Sequence, residues 1–201
     1  MNQKFRKEYF NELYKVEDCF WGIKAEKIVE EFLKNKKGPG KVLDLGVGEG
    51  RNAICFAKRG FNVTGVDFSE KAIRKLRSLN EKENLKIKAI LSNVNRFNFQ
   101  EKYDIVLALS LLHFLKEREV KRIIKKIKKH TEVSGFNLIS VFTEDNPKKN
   151  FPYLFKKNQL KKFYKNWQII HYKEFFTSPQ KHGKGPVHRH AIALVIAKRI
   201  N

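Results

Sequence analysis

The period of the apolar positions changes several times along the chain. Residues 24–35 (KAEKIVEEFLKN) place Ala25, Ile28, Val29, Phe32 and Leu33 at helical spacing, one apolar stripe on a 3.6-residue period. Gly38-Pro39-Gly40 reads as a turn. Val42, Leu43 and Leu45 form a short apolar run, Ala53, Ile54, Phe56 and Ala57 a second helical pattern that stops at Gly60, and Phe61 to Val66 a second run. Ser69 is a good N-cap for a helix over Glu70 to Asn80, with Ala72, Ile73, Leu76 and Leu79 inward. Lys86 to Leu91 alternates like a strand, and Tyr103 to Leu109 is nearly all apolar, as a central parallel strand buried on both faces should be.

Lys116 to His130 is an amphipathic helix, with Val120, Ile123, Ile124 and Ile127 on one face and a dense Lys/Arg face opposite. Phe136 to Phe142 follows as the fifth strand. Asn158 is placed to cap a short helix through Tyr164, and Trp167 to Phe176 and Ala191 to Lys198 complete the strands. Strands that alternate with helices define an α/β fold. A single domain is expected, with a helical cap over residues 1–37 and a core over 38–201.

The chemistry concentrates in Lys41 to Asn52, KVLDLGVGEGRN. An apolar strand runs into Gly46, Gly48 and Gly50, and a helix follows. These are the parts of a nucleotide-binding βα unit, in which the loop backbone approaches a ligand that a Cβ would exclude, although a glycine triplet alone is a weak signal. Asp44 lies inside the strand, and Asp67 closes the next run 23 residues later, near the spacing of a carboxylate that binds ribose hydroxyls. The dinucleotide fingerprint G-x-G-x-x-G fails in register, because position 51 is arginine.

D-x-G-x-G-x-G with an acid after the next strand resembles motifs I and II of the class I S-adenosyl-L-methionine (SAM)-dependent methyltransferases. The resemblance implies a Rossmann-like, seven-stranded, mostly parallel sheet with helices on both faces and an antiparallel last strand. It places Asp44, Gly46, Gly48, Gly50, Asp67 and Phe68 at the cofactor. It also places Asn93 and Val94 beside adenine, where the family often has an acid; an amide oxygen accepts the same hydrogen bond without charge. Leu109 ends the strand that faces the transferred methyl group, and His113 matches a position where many members have histidine. His113 is open to two readings, as a base or orienting group or as a packed helix-start residue. In the family an amino-terminal helical piece often covers the cofactor. Here that segment carries Phe5, Tyr9, Phe10, Tyr14, Phe20 and Trp21, to wall a pocket or to pack on the domain.

Composition adds one unusual feature. Forty-three Lys and Arg against 21 Asp and Glu give a net charge of +22, a balance that raises non-specific affinity for nucleic acid, anionic membrane surfaces or anionic substrates. The cations are spread along the chain, so a solvated surface is the plainer reading. No apolar run is long enough to span a bilayer. The first residues have no signal-peptide core, and Cys19 and Cys55 show no metal or disulfide spacing. The cytoplasm is therefore the expected location.

VLDLGVGEGRN, YDIVLALSLLHFL, EVSGFNLIS and LKKFYKNWQIIHYKE together resemble the tellurite-resistance (TehB-like) methyltransferases, over roughly residues 38–201. The resemblance implies a small-molecule acceptor, a thiol or a chalcogen oxyanion, and S-adenosyl-L-homocysteine as product. In those proteins an arginine after the third glycine and a His/Arg-bearing loop before the last strand face the substrate. Arg51 matches the first. The second has a looser counterpart in KHGKGPVHRH, with His182, His188 and Arg189 as the candidates. That stretch admits a cationic substrate pocket, a metal site through its three histidines, or ordinary loop residues. The Asn/Asp-Pro-Pro-aromatic signature of exocyclic-amine enzymes and the Pro-Cys of cytosine C5 enzymes are both missing. An RNA or protein methyltransferase, or a SAM-binding nucleic-acid protein without turnover, is the alternative that the charge supports.

Overall fold

A computed structural model describes residues 3–34, 36–181 and 186–201, the side chains of residues 3–6 excepted. The helices are α1 (Gln3–Leu13), α2 (Lys27–Leu33), α3 (Arg51–Ala57), α4 (Glu70–Lys82), α5 (Glu117–Lys129) and α6 (Gln159–Phe163). The strands are β1 (Lys41–Leu45), β2 (Asn62–Asp67), β3 (Ile87–Leu91), β4 (Tyr103–Leu109), β5 (Thr131–Phe142), β6 (Gln168–Phe176) and β7 (Ala191–Lys198). They form a seven-stranded mixed sheet. The chain makes two compact units, one up to Asn98 and one from Phe99 onward. Among the described residues no helix is long and apolar enough to cross a membrane.

In the first unit the strand order is β3-β2-β1, all parallel. Val42, Leu43 and Leu45 are fully buried in β1, as a strand covered on both faces requires. After β1 the backbone turns at once, with the N–H groups of Gly46 and Val47 both donating to the Val66 carbonyl at 2.8 and 3.1 Å. Gly50 occupies the N-cap position of α3 at φ 94°, and a Cβ there would lie 2.3 Å from Leu76 Cδ1. The close packing that a dinucleotide fingerprint assigns to a later glycine falls here on Gly50. In α4, Ser69 Oγ accepts the Ala72 N–H at 3.3 Å, and Ala72, Ile73 and Leu76 are buried while Leu79 is half-buried.

Helix α2 is shorter than its apolar stripe. Glu26 keeps extended backbone angles (φ −61°, ψ 139°) because its N–H donates to Asn52 Oδ1 at 2.9 Å. The helix therefore begins at Lys27, and residues 24–26 lie outside it.

In the second unit the order is β4-β5-β7-β6. β4 and β5 are parallel, and β7 runs antiparallel to both β5 and β6. β5 begins at Thr131, five residues before the apolar run, because the β4–β5 register shifts between Tyr103 and Ile105. Ser134 absorbs the offset in the left-handed region at φ 65°. The amphipathic helix appears as α5, with Val120, Ile123, Ile124 and Ile127 buried. Asn158 stands at the start of α6 without a side-chain cap; its N–H is held by Glu174 Oε1 at 2.7 Å, at φ 59°.

A buried polar chain ties α5 and β5 to the residue that follows α6. Tyr164 Oη donates to Asn137 Oδ1 at 3.1 Å, Asn137 Nδ2 to Thr131 Oγ1 at 2.7 Å, and Thr131 Oγ1 to the Ile127 carbonyl at 2.8 Å. All three side chains are sealed from solvent, so truncating one strands its neighbour's polar atom. Asn137→Ala, which orphans two groups, should cost about 2–4 kcal/mol in urea unfolding, and Tyr164→Phe about 1–2 kcal/mol. Equal small losses would remove the chain from the fold's main supports.

Candidate functional site

The glycine loop is organised around one carboxylate. Asp67 ends β2, its Oδ2 accepts the Gly48 N–H at 3.0 Å, and its Oδ1 accepts the Ser69 N–H at 2.8 Å. Gly48 is at φ 54°, and a Cβ on it would lie 3.0 Å from Tyr14 Oη; its lack of a side chain is what lets a phenol approach the loop. Burial raises the Asp67 carboxyl above its ordinary range, against the pull of the Ser69, Gly48 and Phe68 N–H groups. Three backbone N–H groups thus act on the carboxylate, and its two oxygens keep acceptor capacity beyond the bonds from Gly48 and Ser69.

Asp44, in β1, is buried as well. Its carboxyl is pushed well above the ordinary value by desolvation first, then by the charges of Glu26 and Asp67, with Arg51 opposing. Arg51, expected toward the substrate, has its guanidinium on Glu26 Oε1 at 2.8 Å, and Asn52 Nδ2 reaches the same oxygen at 3.4 Å. Gly46, Gly48, Gly50, Asp44, Asp67, Phe68, Asn93 and Val94 all belong to the first unit. The Ser92 N–H donates to the Asp67 carbonyl at 2.8 Å, which brings the residues after β3 beside Asp67. The Asn93 side chain does local work: Oδ1, the atom expected to meet adenine, accepts the Asn95 N–H at 2.9 Å. Val94 is buried next to it.

The amino-terminal segment lies against this loop. Phe10 stacks with Tyr14 (6.1 Å, 28°) and meets Phe68 edge-on (5.8 Å, 81°). Asn11 Oδ1 accepts the Ser69 hydroxyl at 2.6 Å, and Lys7 pairs with Glu70 at 2.7 Å. Trp21 Nε1–H donates to Tyr14 Oη at 3.3 Å. Lys75 Nζ donates to Glu49 Oε1 and to the Asp18 carbonyl, both at 2.8 Å. Asn11, Glu49 and Lys75 escape a reading of the sequence, since their partners are 26 to 58 residues away. Phe10 and Tyr14 carried a signal in their four-residue spacing on a helix.

The second unit holds a separate cluster at the ends of β4, β5 and β7. Leu109 is the buried last residue of β4. His113 follows in a 3-10 turn, Leu112–Phe114, and is fully buried. The Phe142 ring stacks with His113 (3.7 Å, 9°) and with His190 (4.2 Å, 11°), and Phe151 meets His113 and Phe142 edge-on. Burial, then the neighbouring His190, lowers His113 well below 6.5. Its Nδ1 accepts the Phe142 N–H at 3.3 Å, so the neutral ring carries its proton on Nε2. That nitrogen is buried without a partner among the described residues. In this packed arrangement the ring presents a donor and not a base.

Before β7, His190 Nδ1 and the Ala191 N–H both reach Asn146 Oδ1 at 3.1 Å, so Nδ1 is the donor. His188 is half-exposed with its ring 4.8 Å from that of His190, and Arg189 is exposed. His182 and Lys184 lie outside the described residues. Among the described residues no three His, Cys, Asp or Glu side chains converge to hold a metal ion. His190, one of the three histidines of KHGKGPVHRH, and the buried Asn146 join this cluster, and their pairing was not legible in the sequence because Asn146 lies 44 residues before its partner.

A seven-stranded, mostly parallel sheet with an antiparallel β7, a glycine turn after its first strand and a carboxylate after its second is the Rossmann-like arrangement of a SAM-dependent methyltransferase. Within that class the chain belongs to a family, described as tellurite resistance protein TehB, that matches residues 4–184. Two relatives from Haemophilus influenzae strains, each named a probable S-adenosyl-L-methionine-dependent methyltransferase TehB, are 42% identical over 139 residues and 36% identical over 173. These alignments cover 68% and 84% of this chain but 49% and 58% of the relatives. The chain thus spans about half the length of the curated relatives it matches. The crystal structure of TehB from Haemophilus influenzae superposes with a TM-score of 0.80 at 33% identity, over 96% of this chain and 67% of that one.

The raised Asp44 carboxyl fixes a pH dependence. The folded chain binds that proton more tightly than the unfolded chain, so stability falls as pH rises from 3.8 through the raised folded value, and stays lower above it. Asp44→Asn should therefore raise the melting temperature of the ligand-free protein at pH 7. The gain should shrink as pH is lowered toward 3.8, and a gain independent of pH would contradict the charge argument.

Proposed function

We propose that the chain binds SAM on the glycine loop and transfers its methyl group to a small-molecule acceptor, a thiol or a chalcogen oxyanion. The observation that carries this reading is the Asp67 carboxylate, pinned over the loop by the N–H groups of Gly48 and Ser69 in a chain of the TehB family. Asp67 keeps acceptor capacity beyond those backbone bonds, which suits a ribose hydroxyl. Gly46 and Gly48 give the ligand access to backbone, Gly50 closes the loop against Leu76, Asp44 and Phe68 border the ligand, and Asn93 and Val94 flank the adenine.

Bound SAM supplies an activated methyl on a sulfonium sulfur, displaced in line by a nucleophile and leaving S-adenosyl-L-homocysteine. The protein then has only to hold donor and acceptor in line. In the first unit Arg51 suits an anionic acceptor; in the second, taken by itself, His188, Arg189 and His190 do, with neutral His113 as a hydrogen-bond donor, and His182 completes the set expected from the sequence. Free Cys19 and Cys55 agree with a reducing cytoplasm as the place of action.

The net charge of +22 supports a second reading, in which the target is RNA or protein. Methyl-labelled SAM separates the two. Incubated with tellurite, selenite, small thiols and total RNA, the protein should place label in a volatile or small product. Label in RNA would overturn the acceptor class. Asp67→Ala should weaken SAM binding at least ten-fold, about 1.4 kcal/mol, by calorimetry. Unchanged affinity would remove Asp67 from the ribose.

A further inference from the structure

Tyr14 follows α1 and has only 5% of its surface exposed. Its ring packs on Phe10, which also touches Phe68, the residue after Asp67. Its oxygen accepts the Trp21 Nε1–H at 3.3 Å. The hydroxyl hydrogen meets no acceptor among the described residues, although the oxygen reaches within 3.0 Å of where a Gly48 Cβ would stand. Gly48 is also the residue whose N–H fixes Asp67 Oδ2. Burial first, and then the charge of Asp67, raises the pKa of the phenol.

Two unmet groups of opposite kind thus converge beside Gly48, a phenol O–H that needs an acceptor and a carboxylate with acceptor sites to spare. A buried donor left unpaired is costly, and a ligand that restores the bond recovers that cost on binding. One hydroxyl satisfies both, donating its hydrogen to Asp67 and accepting the Tyr14 hydrogen on its oxygen. A carboxylate satisfies only the phenol and would lie against the charges of Asp67 and Glu49.

We propose that Tyr14 is a cofactor-binding residue, donating from its hydroxyl to a ribose hydroxyl of the nucleoside that Asp67 grips, with Trp21 orienting the phenol. This rests on the reading of the loop as a SAM site. The relay runs Trp21 N–H to Tyr14 O–H to ribose O–H to Asp67, and binding completes the last two bonds. The amino-terminal segment is then part of the nucleoside site in its own right, and its position is coupled to occupancy.

The test is Tyr14→Phe, which keeps the ring on Phe10 and removes only the hydroxyl. Calorimetry would compare S-adenosyl-L-homocysteine, 5′-methylthioadenosine, and the 2′-deoxy and 3′-deoxy forms of the latter, against wild type and variant. The first two should bind the variant about five-fold more weakly, the worth of one hydrogen bond. One deoxy form, lacking the acceptor, should bind both proteins alike. Trp21→Phe should reproduce that ligand pattern at smaller amplitude, and covers the case in which the first variant does not fold. Equal losses for all four ligands would make Tyr14 a packing residue and overturn the proposal. A loss confined to S-adenosyl-L-homocysteine would move the contact to the amino-acid end and overturn it too. Wild-type protein that binds none of the ligands would overturn the SAM reading itself.

Discussion

The bond from the Gly48 N–H to the Asp67 carboxylate carries much of the first unit's logic. It joins the loop after β1 to the end of β2, and it requires a backbone that only a residue without Cβ adopts comfortably at φ 54° in that space. Fixing the loop this way holds a carboxylate in a buried place where its charge is disfavoured. Asp44, with Glu26 and Asp67 acting on it, is in the same position. In a chain of net charge +22, the buried charge around the glycine loop is negative. Local burial and sequence-wide composition therefore say different things.

Around that bond the amino-terminal segment makes contacts that are few but specific. Ser69 illustrates the economy: its N–H meets Asp67, its Oγ accepts from Ala72 as a helix cap, and its hydroxyl donates to Asn11. One small side chain thus connects the candidate site, the start of α4 and α1. Lys75 does the same from the other side, between Glu49 and the carbonyl of Asp18. Helix α1 is held on α4 by polar contacts as much as by its aromatics, so its docking depends on solvent conditions more than a purely apolar contact would.

The second unit uses stacking where the first uses charge. His113, Phe142 and His190 lie nearly parallel at 3.7 and 4.2 Å. The burial that builds the stack also keeps His113 neutral. Asn146 holds His190 and the start of β7 through a single oxygen, which sets the tautomer at one end as Phe142 sets it at the other. Such a cluster holds neutral His113 and its neighbour His190 in fixed orientation.

The sequence by itself determined the succession of elements, the glycine turn and the pairing of an acid with each of the first two strands, because each rests on spacing within a few residues. The periods of β1, β4 and α5 left no competing reading, and Ser69 announced its helix. Where the local signal was incomplete, the tertiary structure decided. Helix α2 starts late because Asn52 holds the Glu26 backbone, and β5 starts early because Ser134 adopts a left-handed conformation beside a register shift. Arg51 turns to Glu26, and the Asn93 oxygen to its own turn. Tyr14 over Gly48, Asn11 on Ser69 and Asn146 on His190 were beyond any pattern in the chain. Those contacts join residues tens of positions apart, and a side chain's partner at that range is set by how the elements pack and not by its neighbours in sequence.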